Sequence, residues 1–196
     1  METETINKKD LIKNIFQIEN EVLINKILKI AEEKLFKAND IIQNIGEKQT
    51  EVYLLYKGLA RSYYLDINGN DITKMFMKEN DFCVGESLFE NEPSIQGVEA
   101  LEDMKTLKFD AKELKRLLLS DKYLTDLYMR YLENSLIYKM KRESSFQIMS
   151  ATERYLRFQK DYKDIENRVN QSYIASYLGI APESLSRIKR TIKEEN

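Results

Sequence analysis

Six polar side chains crowd one short stretch near the end of this sequence: Glu183, Ser184, Ser186, Arg187, Lys189 and Arg190. Their chemistry is recognition rather than bond making. An arginine fork fits the O6/N7 edge of guanine, a glutamate accepts from cytosine N4, serine serves either, and lysine meets phosphate. The usual bond-making constellations are missing. With no histidine the chain cannot build a histidine-dependent triad, a His–metal site or a His-ligated haem. With a single cysteine, Cys83, it has no Cys₄ zinc site, no iron–sulfur cluster within one chain and no internal disulfide. The expectation is a binding protein, not an enzyme, with no metal and no cofactor.

The flanking residues supply the elements that must position those side chains. Asn170 is a good N-cap, its side chain able to accept from a first-turn amide. Ile174, Ala175 and Leu178 recur at helical spacing and define an inward face. Gly179 follows at once, suited to the left-handed conformation that ends a helix. Pro182 suits the first turn of the next helix, where its missing N–H costs nothing. Leu185, Ile188 and Ile192 form a second inward stripe, which leaves the six polar residues on the opposite face. Residues 170–192 therefore read as a helix-turn-helix built to lie in a groove of double-stranded DNA. Gln171, Ser172 and Tyr173, at the start of its first helix, are expected to join the DNA contacts.

Charge is distributed as that reading requires. The net charge of the 196 residues is −2, but residues 1–133 hold 19 Lys/Arg against 25 Asp/Glu, and residues 134–196 hold 12 against 8. An acidic body with a basic end is the footprint expected when only one end meets phosphate. The composition, 42% apolar and 33% charged, is that of a globular protein. No apolar run is long enough to cross a bilayer, and the polar start Met1-Glu-Thr-Glu-Thr5 has no leader layout. A cytoplasmic chain with no membrane partner is expected, and one cysteine fits that compartment.

Upstream, residues 6–34 read as helical, with Ile12, Ile15, Phe16, Val22, Leu23, Ile27 and Ile30 at near-helical spacing and no Gly or Pro between. The texture then changes. Five of the six glycines fall between 46 and 97. Between them lie strand-like segments at 52–56, 60–65, 71–77 and 98–101, and Asn68-Gly69-Asn70 is a hairpin signal. Regularly spaced strands and turns predict an antiparallel roll that closes near Phe109. Helix returns at 111–119, then in a long helix from a Ser120-Asp121 cap to about Phe146, then at about 152–162. The long helix carries Leu124, Leu127, Tyr128, Tyr131, Ser135 and Tyr138 near a heptad seam, the expected interface of a homodimer. The whole is α+β: an N-terminal antiparallel β-roll of the jelly-roll kind over residues 1–119, a long dimerisation helix over 120–147, and a helix-turn-helix domain over 148–196.

In this order of parts, the chain resembles the Crp/Fnr family of transcription regulators, over roughly residues 36–192. The resemblance is carried by Tyr56-Lys-Gly-Leu-Ala-Arg61, Asp81-Phe-Cys-Val-Gly-Glu86, Val98-Glu-Ala-Leu-Glu102 and, most specifically, Leu178-Gly-Ile180 with Glu183-Ser-Leu-Ser-Arg187. It implies a DNA-binding regulator in which Glu183, Ser186 and Arg187 contact base pairs. It also implies an effector pocket in the roll, for which Gly85, Glu86 and Tyr64 are the candidates, and a partner in RNA polymerase. Departures from the family matter equally. Members that bind cyclic AMP place an Arg-Ser pair about ten residues after the Gly-Glu pair, to neutralise the phosphate. The matching residues here, Glu92-Pro-Ser-Ile-Gln-Gly97, include no cation, and burying an anion without one is costly. Lys139 and Met140 stand where hydroxyl side chains would reach the adenine. Cyclic AMP is therefore not the expected effector, and any effector is an unknown small molecule. The cysteine cluster of oxygen sensors and the haem ligands of carbon-monoxide sensors are absent. Cys83 is left as a core residue or a redox switch. Any wing beside the helix-turn-helix would have to come from residues around 163–170.

Two other classes fit parts of the sequence. A β-roll can be a cupin-type small-molecule binder or enzyme, which the lack of histidine disfavours. The helical end could instead be a protein-interaction module.

Overall fold

The computed structural model of the chain describes residues 7–84 and 92–195. It opens on two helices where one helical run was expected. Between α1 (Lys8–Phe16) and α2 (Glu21–Lys29) stand Gln17, left-handed at φ 52°, and Asn20. The Asn20 side chain accepts from the amides of Val22 and Leu23 and so caps α2. The hydrophobic period runs through the break because both helices bury the same face; the capping asparagine is what divides them. The end of the expected helix is strand instead.

Eight strands follow among the described residues: β1 (Glu32–Phe36), β2 (Ile41–Gln43), β3 (Glu51–Lys57), β4 (Ala60–Leu65), β5 (Asp71–Met77), β6 (Phe82–Cys83), β7 (Gly97–Ala100) and β8 (Met104–Asp110). They form two four-stranded sheets, ordered β1-β8-β3-β6 and β2-β7-β4-β5, with antiparallel pairing. That interleaved order is the double-sheet jelly roll expected from the turn spacing. The helices after it are α3 (Ala111–Leu118), α4 (Lys122–Ile148), α5 (Ala151–Asp161), α6 (Gln171–Leu178) and α7 (Pro182–Glu195). Residues 163–170 form turns with no strand, so they build no β-wing. No helix among the described residues is long and apolar enough to cross a membrane, and no group of three or more acidic or cysteine side chains there could hold a metal.

The chain divides into two compact units. One comprises Met1–Ser62 and Phe76–Tyr131, the other Tyr63–Met75 and Leu132–Asn196. In the first unit the central strand β3 buries four consecutive residues, Val52 to Leu55. Alternation explains why. Val52 and Leu54, with Leu107 and Phe109 of β8, share one core with Ile12, Phe16, Ile24 and Ile27 of the N-terminal helices and Leu114 and Leu118 of α3. Tyr53 and Leu55 point to the other face, where Tyr53 meets the edge of Phe36 at 5.2 Å between ring centres. A strand covered on both faces reads as a continuous apolar run rather than as alternation.

That core also takes up part of the expected dimer seam. Leu124, at the start of α4, is 0% exposed within the single chain and belongs to the core under α1 and α2. It has no surface left to offer a second copy. Leu127 and Tyr128 lean on the same core. Of the expected seam Tyr131 stays exposed, and α4 also exposes Met129, Leu136, Ile137 and Met140.

Two of the quoted motifs acquire a physical reason in the roll. Arg61 of β4 is almost fully buried, and its Nε donates to Glu99 Oε1 of β7 at 2.5 Å. A buried guanidinium demands such a partner. Gly58 turns the chain from β3 into β4 at φ 105°, and its amide donates to Glu79 Oε1 at 2.9 Å. A Cβ there would come within 2.8 Å of the Asp103 carbonyl oxygen. Gly58→Ala should therefore destabilise the protein by about 1–3 kcal/mol, read as a lower urea midpoint with unchanged slope.

Cys83 lies on β6 with no exposed surface, and burial pushes its thiol up to about 12. A neutral thiol without access is a core residue, not a reactive one. Iodoacetamide at about pH 8 should leave native Cys83 unlabelled over a time that fully labels the urea-unfolded chain; labelling of both at similar rates would restore the redox reading.

Candidate DNA-binding site

The site is built from α5, α6, α7 and the part of α4 that belongs to the second unit. Ser150 caps α5 in a reciprocal box with Glu153, each side chain bonding the other residue's backbone amide. Asn170 caps α6 as expected, accepting from the Ser172 amide at 3.0 Å. Gly179 ends α6 in the left-handed region at φ 66°. A side chain there would be strained twice, since a Cβ would approach the Phe146 ring to 2.8 Å. Pro182 is the first residue of α7.

Inward faces match the periodicity. Ile174, Ala175 and Leu178 of α6 and Leu185 of α7 are buried, while Ile188 and Ile192 are half-buried. The buried Tyr177, which the sequence does not single out, is the larger anchor. Its ring packs against Phe158 and Tyr162, with ring centres 5.6 and 5.7 Å apart. The Arg142 guanidinium of α4 lies 3.9 Å from its ring centre, a cation–π contact. The Tyr138 hydroxyl is 3.0 Å from that of Tyr162 and 3.2 Å from that of Tyr177. The hydroxyl of Tyr138, a residue expected in the dimer seam, faces this internal junction, and burial raises its pKa.

Two arginines close the ends of the helices. Arg142 donates to the Tyr177 carbonyl at 2.9 Å, and Arg154 donates to the carbonyls of Leu178 and Met149 at 3.1 and 2.8 Å. These are carbonyls near the C-termini of α6 and α4, some of which have no acceptor role inside the helix and favour a cation. Ser176, on the remaining face of α6, accepts from the Thr73 amide at 2.9 Å and donates to the Asp71 carbonyl at 3.4 Å, both on the β4–β5 hairpin.

The outward face of α7 is open. Glu183, Ser186, Arg187 and Arg190 are exposed at positions i, i+3, i+4 and i+7, which aligns them along one side of the helix. Ser184 is half-buried and accepts from Arg187 Nη2 at 3.3 Å, which orients that guanidinium. At the start of α6, Gln171 and Ser172 are exposed and Tyr173 is half-buried. Lys189 is the exception among the expected cations. It is half-buried, and its Nζ donates to Gln171 Oε1 at 2.8 Å and pairs with Glu166 Oε1 at 2.7 Å. Four residues on from buried Leu185, it stands on the inner flank of the helix rather than among the exposed polar residues.

Of the candidate effector residues, Gly85 and Glu86 lie outside the described residues. Tyr64 is half-buried in the second unit, with Lys74 Nζ 5.1 Å from its ring centre.

Comparison with known proteins bears on both units. Residues 33–121 match the model of the cyclic nucleotide-binding domain. No curated protein matches the sequence as a relative. Solved structures do match the fold. A variant of CooA from Carboxydothermus hydrogenoformans superposes with a TM-score of 0.74 at 16% identity, covering 94% of this chain and 84% of that one. The c-di-GMP-responsive global regulator CLP of Xanthomonas campestris gives 0.72 at 12% identity, covering 90% and 93%. A CRP/FNR-family transcriptional regulator from Thermus thermophilus gives 0.69 at 19%, covering 84% and 87%. Residues 33–121 thus resemble the cyclic nucleotide-binding domain, and the chain shares the fold of the Crp/Fnr transcriptional regulators.

Proposed function

We propose that this protein is a sequence-specific, DNA-binding transcription regulator that works as a homodimer in the cytoplasm and acts by binding, not catalysis. The observation that carries the reading is the face of α7 on which Glu183, Ser186, Arg187 and Arg190 stand exposed while Leu185 is buried behind them. Arg187 reads guanine, Glu183 accepts from cytosine, and Ser186 adds a base or phosphate contact. Arg190, Gln171 and Ser172 meet the backbone. Two such helices in one dimer enter successive major grooves about one helical turn apart, on a roughly palindromic site.

The dimer forms along α4 through Met129, Leu136 and Met140, which recur at 7 and 4 residues and are each about half exposed or more. The neighbour CLP is described as c-di-GMP-responsive. Here the stretch Glu92–Gly97 carries no cation for a phosphate, so the regulator does not respond to cyclic AMP. Whatever small molecule shifts it acts by population shift between two arrangements of the dimer, and its output is contact with RNA polymerase.

Selection of bound fragments from random DNA should return a palindromic consensus, with affinity that falls steeply with salt. Arg187→Ala should weaken binding to that consensus by about 1–3 kcal/mol and relax the choice of base at one position in each half-site. Unchanged affinity for the consensus would sink the assignment; loss of function with an intact DNA footprint would point to a protein partner instead. Leu136→Asp should convert the dimer to monomer in sedimentation and abolish tight binding to the two-half site while leaving the fold intact by circular dichroism. A variant that remains dimeric would remove α4 from the interface.

A further inference from the structure

The recognition helix is held by one carboxylate. Glu166 lies in the turn between α5 and α6, and its side chain is largely buried, 17% exposed. It accepts from three groups: the Tyr155 hydroxyl at 2.6 Å, Gln159 Nε2 at 3.1 Å and Lys189 Nζ at 2.7 Å. Gln159 Nε2 also donates to the Tyr155 hydroxyl at 2.8 Å, and Lys189 also reaches Gln171. The network thus joins α5, the turn, the first residue of α6 and the middle of α7.

Its chemistry is one-sided. Glu166 is acceptor-only when ionised, and all three partners are donors. Burial alone would push its carboxyl up, but the bonds from Lys189, Tyr155 and Gln159 outweigh that and hold it below the usual carboxylate range. Burial and the adjacent carboxylate raise the Tyr155 phenol, which therefore stays a donor. The ion pair is partly shielded from water, so it is worth more than a surface pair and costs more to break on one side.

We propose that Glu166 and Lys189 are positioning residues for DNA reading: the Glu166–Lys189 pair sets the rotation of α7, and Lys189 is not a phosphate contact. The inference rests on the DNA-binding reading and refines it. A residue at 189 that touched phosphate would have to leave Glu166 uncompensated in the turn. Rotation matters because Arg187 and Glu183 must meet base edges within hydrogen-bond tolerance, whereas cations that meet phosphates tolerate a looser approach. Loss of the pair therefore weakens recognition of the right sequence and leaves sequence-blind binding intact.

A double-mutant cycle on the full-length protein tests this, with Glu166→Gln, Lys189→Gln and the double variant measured on the selected site and on random-sequence duplex across a salt titration. Each single variant should lose about three- to thirtyfold in affinity for the selected site, and the double should be no worse than either, as expected of two groups acting through one contact. Binding to random duplex and the salt slope should match the wild type. A slope that falls by about one phosphate in Lys189→Gln, with weaker binding to both duplexes, would overturn the proposal in favour of a direct contact. Additive losses in the double would overturn it too. If Glu166→Gln melts early, Lys189→Gln alone decides through its salt slope, and Lys189→Arg should restore specific binding. A wild-type protein that selects no sequence defeats the DNA-binding reading itself, and this proposal with it; a wild type that selects a site while the slope falls defeats this proposal alone.

Discussion

The C-terminal unit depends on how Tyr177 is buried. An eight-residue helix such as α6 has too few internal hydrogen bonds to persist alone in water. Tertiary packing has to hold it, and Tyr177 is where that packing concentrates. Its ring lies among Phe158, Tyr162 and the Arg142 guanidinium, its hydroxyl meets Tyr138, and its carbonyl is taken by Arg142. One residue therefore bonds α6 to the second half of α4 and to α5 by dispersion, cation–π attraction and hydrogen bonds at once. The turn to α7 follows two residues later, at Gly179, so the orientation of α7 inherits that anchorage.

A helix at the edge of a domain has opposed requirements. It must bury one side deeply enough to be held and leave the other side open. α7 divides the two tasks by period: Leu185 is inside, Glu183, Ser186, Arg187 and Arg190 are outside, and Lys189 on the flank is drawn inward by Glu166. The polar residues of such a helix are not interchangeable. A cation that pairs with a shielded carboxylate is part of the scaffold, whereas one in open solvent remains available to an anion.

The roll applies the same logic in β-structure. Its central strand is apolar on both faces because helices cover one side and the roll interior lies on the other. The one fully buried arginine of the roll, Arg61, is tolerated because Glu99 of another strand faces it. Gly58 sits where any side chain would strike the Asp103 carbonyl. The residues that mark this roll in sequence are thus those whose replacement would leave a charge unpaired or two backbones too close.

Much of the architecture was legible in the chain itself, for local reasons. Asn170, Gly179 and Pro182 act on their own backbone, so the helix-turn-helix is visible without knowing what surrounds it. The central strands are equally plain from short apolar runs between turn signals, and the long helix from a stretch without Gly or Pro. Elsewhere local pattern misled. The run 6–34 kept a helical period across a break, because both helices bury the same face and the capping Asn20 between them is a single residue. The edge strand β1 exposes four of its five residues and so carries no alternation to read. By itself the sequence determined which segments are helix, strand and turn in most of the chain, and which polar residues share the outward side of α7, since both depend on spacing along the backbone. Only the tertiary structure decided which side of α4 is used up by the core, that Tyr138 turns to Tyr177, and that Lys189 is held by Glu166. Those are contacts between residues 20 or more positions apart, and a one-dimensional period cannot say which of two amphipathic sides will find a partner.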